Sequence, residues 1–409
     1  MSPNCRSCGQ PLTVTFADLG MSPLSNSYVP LKDRFKGETI FPLHALVCTS
    51  CWLVQVLDFE APEHIFKNYA YLSSFSTMWR QHCALYAATM IERLGLDRHS
   101  KVVEIASNDG TLLRNFLERG IPSLGVEPAE NVAQIARAAS VPTESIFFGE
   151  MTAKTLLDNG HAADLMAANN VLAHVPDIND FVEGFRVLLK PDGLATFEFP
   201  SLRELIANNQ FDTIYHEHFS YLSLFVVRDI LERHGLRVFD VEHLPTHGGS
   251  LRVFACHEDA HWETTAIVTL ECSEENAAGL RDIAAYRAFS TKVVDTKAAA
   301  LEFLINARRD GRKVVAYGAP AKGNTLLNYC GIGPELIAFT VDRNPLKQNT
   351  LLPGTRIPVL APEAIAAAKP DYVVILPWNL RDEINSDMSY IRAWGGRCVV
   401  FVPHVEVLN

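Results

Sequence analysis

The sequence lacks the features that would place the protein in a membrane or on nucleic acid. None of its apolar runs reaches the length of a membrane-spanning helix. The N-terminal stretch MSPNCRSCGQ has no basic region followed by an apolar run, so it does not match a secretory signal peptide. The formal net charge is −11 and no Lys/Arg stripe is visible, which disfavours nucleic-acid partners. We therefore expect an ordinary cytoplasmic globular enzyme.

The glycine patterns of the commonest nucleotide-binding turns are missing as well. No GxGxxG occurs between a predicted strand and a predicted helix, although dinucleotide-binding Rossmann turns use that pattern. The turn 318-GAPAKGN-324 does not match the P-loop pattern GxxxxGK(S/T). The missing GxGxxG disfavours a NAD-dependent nucleotide-sugar oxidoreductase or epimerase, which we keep as one alternative function.

Four of the 9 cysteines form two CxxC pairs, 5-CRSC-8 and 48-CTSC-51. Two such pairs can supply four thiolates in the tetrahedron of a structural zinc site. Redox pairs or free thiols are the alternative, which is weaker because no thioredoxin-like βαβ pattern surrounds them. We predict a zinc-binding domain over residues 1–60 that depends on the metal for much of its folding free energy. The predicted zinc ligands are Cys5, Cys8, Cys48 and Cys51.

Predicted strands and helices alternate along the rest of the chain. Short apolar runs such as 101-KVVEIASNDG-110 precede helical stretches over residues 61–258, and the alternation starts again over residues 259–409, with 313-KVVAYG-318. Such alternation indicates parallel, doubly wound sheets. We predict an α/β protein with a zinc-binding N-terminal domain, a Rossmann-like middle domain and a second Rossmann-like C-terminal domain. A ligand between the two α/β domains is expected.

The stretch 103-VEIASNDGTLL-113 predicts the first nucleotide site, because a strand ends in a small-residue turn before a helix. Glu104 before this turn and the missing third glycine favour S-adenosylmethionine (SAM), whereas Glu127, placed for ribose hydroxyls, fits SAM or NAD. A Rossmann turn with a structural acid is the alternative. Ala106 stands where glycine is common, and its methyl group is tolerable there if φ is negative, which we expect. The predicted SAM contacts are Glu104, Ala106, Ser107, Asn108, Gly110, Thr111, Leu112, Glu127, Pro128, Asn169 and Asn170.

The stretch 213-TIYHEHFSYLS-223 sets Tyr215, His216, Glu217 and His218 among apolar residues, which a solvated loop does not need. If the SAM methyl group is transferred to a carbon next to a ketone, the reaction needs a neutral base for the C–H proton, and histidine is neutral near pH 7. It also needs donors for the enolate oxygen, which histidine or tyrosine provides. If the stretch is extended, His216 and His218 share a face and could bind metal, but no third ligand is evident. A structural role is favoured for His216.

The order of these motifs resembles the sugar C-methyltransferases that act on nucleotide-linked 4-keto-deoxysugars, with 169-NNVLAHVPD-177 before the YHEH stretch and 247-HGGSLRVF-254 and 318-GAPAKGNTLLN-328 after it. The motifs are similar to those of the dTDP-sugar 3-C-methyltransferases. The resemblance implies SAM and zinc as cofactors and a three-domain enzyme that methylates a carbon α to the C4 ketone through an enolate. It also implies that His218 is the base. The other implied positions around the sugar are Tyr69, His174, Tyr215 and Glu217.

Two turns are candidates for binding the nucleotide sugar. His247 and Gly248 begin a glycine pair whose N–H groups could face a phosphate, although a plain β-turn explains the pair nearly as well. Lys322 and Asn324 lie in a turn before a helix and are predicted to contact the nucleotide sugar. The alternative is that they only form the turn and cap the helix. Three other predicted site residues also have a structural alternative. The alternative for His174 is that its ring only caps the following turn. The alternative for Asn169 and Asn170 is that their side chains bond the turn backbone rather than SAM.

Two further functions compete with C-methylation. A non-enzymatic zinc-containing binding protein would leave the YHEH cluster and Glu127 unexplained. An RNA methyltransferase conflicts with the net charge of −11. The residues alone leave open C3, which we favour, against C5 as acceptor, and dTDP against another nucleotide. Three mutually packed domains are compatible with a monomer.

Overall fold

The structure, a computed structural model, describes residues 3–60 and 72–408. Tyr69, one of the predicted sugar contacts, lies outside the described residues. The N-terminal segment forms three of the four strands of an antiparallel sheet, and the fourth strand comes from much later in the chain. In spatial order these strands are β1 (Val14–Ser22), β3 (Phe41–Val47), β4 (Val54–Val56) and β10 (Ser220–Tyr221).

The middle of the chain forms a seven-stranded sheet with five parallel strands and an antiparallel pair at one edge. Its spatial order is β11 (Leu236–Leu244), β12 (Ser250–His257), β9 (Leu189–Pro200), β8 (Ala163–Asn169), β5 (Val102–Ile105), β6 (Ser123–Val126) and β7 (Thr143–Glu144). The helices are α1 (Thr77–Leu94), α2 (Leu113–Leu117), α3 (Glu130–Ala138), α4 (Glu150–Asp158), α5 (Ile178–Leu188), α6 (Leu202–Ala207) and α7 (Leu224–Arg233).

The strand β5 shows why this sheet forms. All four of its residues are buried, as in a parallel strand that is covered on both faces. Because side chains alternate along a strand, Val102 packs into one hydrophobic cluster and Val103 into the other. Glu104 is therefore carried into the interior by its strand and is only 6% exposed.

The C-terminal part forms an eight-stranded sheet around parallel strands. Its spatial order is β19 (Glu406–Val407), β18 (Arg397–Val400), β17 (Tyr372–Ile375), β13 (Val314–Tyr317), β14 (Thr340–Val341), β16 (Pro358–Leu360), β15 (Thr350–Leu351) and β2 (Val29–Pro30). The helices are α8 (Ala266–Ala277), α9 (Ile283–Arg309), α10 (Ala321–Cys330), α11 (Glu363–Ala368) and α12 (Arg381–Asp387). The predicted mixed α/β class with two Rossmann-like parts is confirmed.

The three sheets exchange strands across the predicted domain boundaries. β2 comes from the N-terminal segment but pairs with β15 at the edge of the C-terminal sheet. β10 comes from the middle of the chain but pairs with β4 of the N-terminal sheet. One hydrophobic cluster contains Phe16, Phe197 and Phe401, so the core is continuous across all three parts. The boundaries 1–60, 61–258 and 259–409 stay a prediction.

The helix α1 begins and ends with recognisable caps. The Ser76 hydroxyl accepts a hydrogen bond from the Trp79 N–H at 3.2 Å, and Gly95 ends the helix in the left-handed region with φ 60°. Within residues 3–60 and 72–408, no helix has the length and apolar character needed to cross a bilayer.

Candidate functional site

The two CxxC pairs meet in space and form a metal site. The four Sγ atoms all lie within 4.8 Å of one another, and Cys5–Cys51 and Cys8–Cys48 are each 3.5 Å apart. A tetrahedron with Zn–S bonds near 2.3 Å has S–S edges of about 3.8 Å, so the four thiolates fit zinc. Gln55 Nε2 donates to Cys5 Sγ at 3.1 Å, as an outer-shell donor to a ligand would. No other such cluster occurs among the described residues.

The turn after β5 folds back tightly. Gly110 has φ 75°, and a Cβ there would lie 2.7 Å from Val141 Cγ2. Ala106 has φ 54°, so the expected negative φ is wrong. The reason is that the chain reverses at once, and Ser107 N–H bonds the carbonyl of Val126 at the end of the neighbouring strand β6, at 3.2 Å. Such strain in a non-glycine residue is typical of functional turns.

Buried polar atoms without partners mark the carboxyl ends of β5 and β8. The described residues offer no hydrogen-bond partner to four of these atoms: Glu104 Oε2, Ser107 Oγ, Asn169 Oδ1 and Asn170 Oδ1. Burial, together with the nearby carboxylates of Asp109 and Glu127, raises the pKa of Glu104 well above its usual range. Buried groups of this kind need a partner, and the amine and hydroxyl groups of SAM supply donors. These residues therefore fit the predicted cofactor.

Glu127 connects the turn to the next strand. Its Oε2 accepts from Asn108 N–H at 2.9 Å and its Oε1 accepts from Ala129 N–H at 2.8 Å. Burial raises its pKa against these two bonds. Each carboxylate oxygen has a second lone pair, so the contact with ribose hydroxyls that we predict is compatible with both bonds. Pro128, which follows, is half-buried.

Other predicted cofactor residues are engaged within the protein. Asn108 Oδ1 accepts from Ser73 N–H at 2.9 Å, which ties the turn to the segment before α1. Thr111 Oγ1 donates to Asp109 Oδ1 at 2.6 Å. Leu112 is 2% exposed and packs in the smaller hydrophobic cluster. Residues 111 and 112 thus support the turn, and their contact with SAM stays a prediction.

The YHEH residues form a turn rather than an extended strand. His218 N–H bonds the Tyr215 carbonyl at 2.9 Å, so the alternative that places His216 and His218 on one face as metal ligands is wrong. The His216 ring instead lies 5.8 Å from the Phe41 ring, and its Nε2 is 3.2 Å from the Pro42 carbonyl oxygen. These contacts agree with the structural role favoured for His216.

His218 is held as a neutral imidazole. Its Nδ1 lies 2.8 Å from the Thr213 carbonyl oxygen, which can only accept, so Nδ1 carries the proton. Its Nε2 therefore accepts, and the Tyr215 hydroxyl lies 2.7 Å from it. Burial first, and then the nearby His174, lower the pKa of His218 well below its usual range. As a residue, His218 is half-buried.

His174 comes from another loop to the same place. Its ring centroid lies 4.7 Å from that of His218, and its Nδ1 lies 2.7 Å from the Glu217 carbonyl oxygen. Burial lowers the pKa of His174 to about 4. The structure therefore brings together three predicted catalytic residues, Tyr215, His174 and His218, as two neutral imidazoles and a phenol.

Glu217 points away from this cluster, towards the C-terminal sheet. Both carboxylate oxygens accept from Asn26 Nδ2 at 2.8 Å. Burial raises the pKa of Glu217 to about 7, opposed by Asn26 and by the charge of Lys347. Lys347 Nζ in turn donates to the Ala319 carbonyl at 2.8 Å, in the GAPAKGN turn. Glu217 thus lies between the histidine loop and the C-terminal part.

Two residues that the sequence analysis missed surround Lys322. Its Nζ donates to Asn379 Oδ1 at 2.8 Å and lies 4.4 Å from the Trp378 ring centroid. Trp378 Nε1 donates to Asp212 Oδ2 at 2.8 Å. Asp212 is fully buried, which raises its pKa to about 6 against the charge of Lys322. No pattern marked Asp212 or Trp378, because one precedes the YHEH motif and the other follows a distant strand.

The remaining predicted substrate residues have structural contacts. Asn324 Nδ2 donates to the Ser25 carbonyl at 2.7 Å, and Asn324 is 1% exposed. A Cβ on Gly248 would lie 2.7 Å from Trp378 Cη2, so close packing explains this glycine. His247 has φ 55°, and its ring lies 6.5 Å from that of Trp79. A phosphate contact at the HGGS turn stays a prediction.

Comparison with known proteins adds three family models and several relatives. The models are "Putative zinc binding domain" over residues 5–66, "Methyltransferase domain" over 78–241 and "C-methyltransferase C-terminal domain" over 245–403. C-methyltransferase NovU of Streptomyces niveus is 38% identical over 405 residues, 99% of this chain and 96% of that protein. Ubiquinone biosynthesis O-methyltransferase of Bartonella bacilliformis is 27% identical over 95 residues, 23% of this chain and 38% of that protein.

Among solved structures, magnesium protoporphyrin IX methyltransferase from Synechocystis with bound SAM aligns with a TM-score of 0.34 and 14% identity. The alignment covers 44% of this chain and 79% of that chain. At that score the similarity supports no inference about the ligand or the reaction.

Proposed function

The chain belongs to the family of C-methyltransferases, and on this premise we propose its acceptor and its catalytic base. The enzyme is a SAM-dependent methyltransferase that also carries a four-cysteine zinc site. This membership excludes the NAD-dependent oxidoreductase and the non-enzymatic binding protein as functions. The proposed acceptor is a carbon α to the C4 ketone, with C3 favoured, of a nucleotide-linked 4-keto-deoxysugar, preferably a dTDP sugar. The proposed base is His218.

The observation that carries this proposal is the hydrogen bonding of the buried His218 ring. Its Nδ1–H is committed to the Thr213 carbonyl, and burial keeps the ring neutral, so Nε2 has a lone pair for a proton. A neutral base near a carbon acid is the requirement for enolate formation at pH 7. The His174 ring, whose centroid lies 4.7 Å from that of His218, is close enough to contact the same small substrate.

The chain's own residues divide the chemistry as follows. His218 Nε2 accepts the proton from the carbon next to the ketone, and its bond to Thr213 stabilises the resulting imidazolium. The Tyr215 hydroxyl lies on Nε2 in this structure, so it turns towards the ketone oxygen when the substrate arrives. The Tyr215 hydroxyl then donates to the enolate oxygen where negative charge develops. The Nδ1–H of His174 is committed to the Glu217 carbonyl, so its Nε2 can only accept and would bind a hydroxyl group of the sugar rather than the enolate oxygen. SAM, when bound, supplies the electrophilic methyl group that the nucleophilic carbon attacks.

The nucleotide is proposed to bind at the start of α10. Backbone N–H groups at a helix N-terminus attract anions, and Lys322 and Lys347 both lie beside this turn. Burial lowers the pKa of both lysines, which indicates that each gains from an anionic partner. A diphosphate here would leave the sugar to reach His218, because Thr325 of α10 bonds the Ile214 carbonyl next to the YHEH turn at 3.1 Å.

The test uses the purified enzyme with a panel of dTDP-4-ketosugars in D2O, with and without SAM. Mass spectrometry follows deuterium uptake and methyl gain for the wild type, His218→Asn and the control His216→Asn. We expect exchange and methylation in the wild type and in His216→Asn, whose ring contacts Phe41 and Pro42 rather than the cluster. Both signals should disappear in His218→Asn. Exchange that survives in His218→Asn would refute the base, and no reaction with any ketosugar would refute the acceptor.

A further inference from the structure

Arg6 stands between the first two zinc ligands, yet its side chain reaches away from the metal site. Its backbone N–H donates to Gln55 Oε1 at 2.9 Å, and the same Gln55 side chain donates to Cys5 Sγ at 3.1 Å. The CxxC loop is thereby fastened to β4. The Arg6 side chain is 9% exposed, so it lies in the contact between the N-terminal sheet and its neighbour.

The Arg6 guanidinium touches both loops that carry the catalytic histidines. Nη1 donates to the Pro176 carbonyl at 2.8 Å, two residues after His174. The guanidinium carbon lies 5.2 Å from the ring centroid of Phe219, which directly follows His218. Nη2 donates to the Val56 carbonyl at 2.6 Å and pairs with Asp58 at 2.6 Å.

The backbone continues these contacts towards the catalytic rings. Val56 N–H bonds the Phe219 carbonyl at 3.1 Å, and Ser220 pairs with Gln55 where β10 joins β4. His174 is itself bonded to the Glu217 carbonyl in the same turn. The two loops therefore meet at one guanidinium, whose position depends on the zinc loop.

We propose that Arg6 is a positioning residue for His174 and His218, so that the zinc site sets the geometry of the reaction centre as well as stabilising the N-terminal segment. The inference rests on the proposed function, which places His174 and His218 at the reaction centre. A planar guanidinium suits this role because it donates in two directions and stacks on a ring, whereas an ammonium group acts as a point charge. A displacement near 1 Å at reacting groups costs about 10²-fold in rate.

The test compares Arg6→Met and Arg6→Lys with the control Arg233→Met. Arg233 Nη2 donates to Ser7 Oγ at 2.6 Å, so the control loses a contact to the same CxxC loop that does not reach the histidine loops. Zinc content is measured by native mass spectrometry, SAM affinity by calorimetry, and kcat and KM with the ketosugar. Amide hydrogen exchange of the peptides over 172–180 and 211–222 requires no substrate.

We expect Arg6→Met to keep its zinc and its SAM affinity, to exchange faster in both loops, and to lose about 10²-fold in kcat with little change in KM. Arg6→Lys should regain part of kcat, and Arg233→Met should behave as the wild type. If Arg6→Met releases zinc, the test depends on Arg6→Lys. Loop hydrogen exchange and kcat equal to those of the wild type in zinc-loaded Arg6→Lys would then overturn the proposal. Unchanged loop exchange in Arg6→Met overturns it too, whereas a wild type that is inactive on ketosugars refutes only the proposed acceptor.

Discussion

Gly110→Ala probes the turn that follows β5. In the native turn, Gly110 N–H bonds the Ser107 carbonyl at 3.0 Å and the Gly110 carbonyl accepts from Arg114 N–H at 3.1 Å. Alanine keeps both backbone groups, so the substitution changes only the preferred φ and adds one methyl group. That methyl would meet Val141 Cγ2 at 2.7 Å.

The magnitude follows from these two effects. Holding a non-glycine residue in the left-handed region costs about 1–2 kcal/mol. Inserting a methyl group into a packed core costs about 1–3 kcal/mol. Val141 is 1% exposed, and a β-branched side chain has little rotamer freedom with which to move aside. We therefore expect Gly110→Ala to reduce local stability by about 2–5 kcal/mol and to weaken SAM binding.

Gly120→Ala is the matched control. Gly120 has φ 74°, close to that of Gly110, but a Cβ there would have no neighbour within 4 Å. The control should lose only the conformational part, about 1–2 kcal/mol, and keep its SAM affinity. Hydrogen exchange of the peptides over β5 and β6 reports the local opening free energy, and calorimetry reports SAM binding. Equal losses in the two variants would refute the reasoning, because the contact with Val141 would then contribute nothing.

Two further predictions concern the zinc site and Glu217. Cys51→Ser removes one of four thiolates and should release zinc and unfold the segment over residues 5–56, as seen by native mass spectrometry and hydrogen exchange; full zinc occupancy would contradict this. Glu217 has its pKa raised from 4.5 to about 7, so the folded state binds the extra proton and the wild type loses stability as pH rises above 4.5. Glu217→Gln lacks this loss of stability. The melting temperature of the variant minus that of the wild type should therefore be larger at pH 8 than at pH 5. A smaller difference at pH 8 would contradict the predicted direction of the pKa shift.

The elements that depend on local patterns could be predicted from the sequence. β5 is a short apolar run before a small-residue turn, and its Glu104 stands out because an acid is rare in such a strand. The zinc ligands could be predicted because the two cysteines of a CxxC pair are spaced to bind one metal ion together. The YHEH residues were found because ionisable side chains lie among apolar neighbours.

The features that depend on distant contacts could not be predicted. β2 and β10 contain two residues each, which is too short for any periodicity to show. His216 and His218 differ in their surroundings because the His216 ring contacts the Pro42 carbonyl and the His218 ring contacts the Thr213 carbonyl, and no local pattern separates the two. Ala106 was expected at negative φ because the rule concerns the residue alone, whereas the observed φ follows from the bond between Ser107 and Val126.

The exchange of strands between sheets constrains how the chain folds during synthesis. Domains generally fold as units from the N-terminus while the ribosome is still translating. Here the N-terminal sheet lacks β10 until the middle of the chain has emerged, and β2 waits for β15, which is translated near the end. Unpaired strand edges promote aggregation in partly folded chains. The nascent chain therefore carries unsatisfied edges through most of its translation and completes its architecture only after the last sheet has formed.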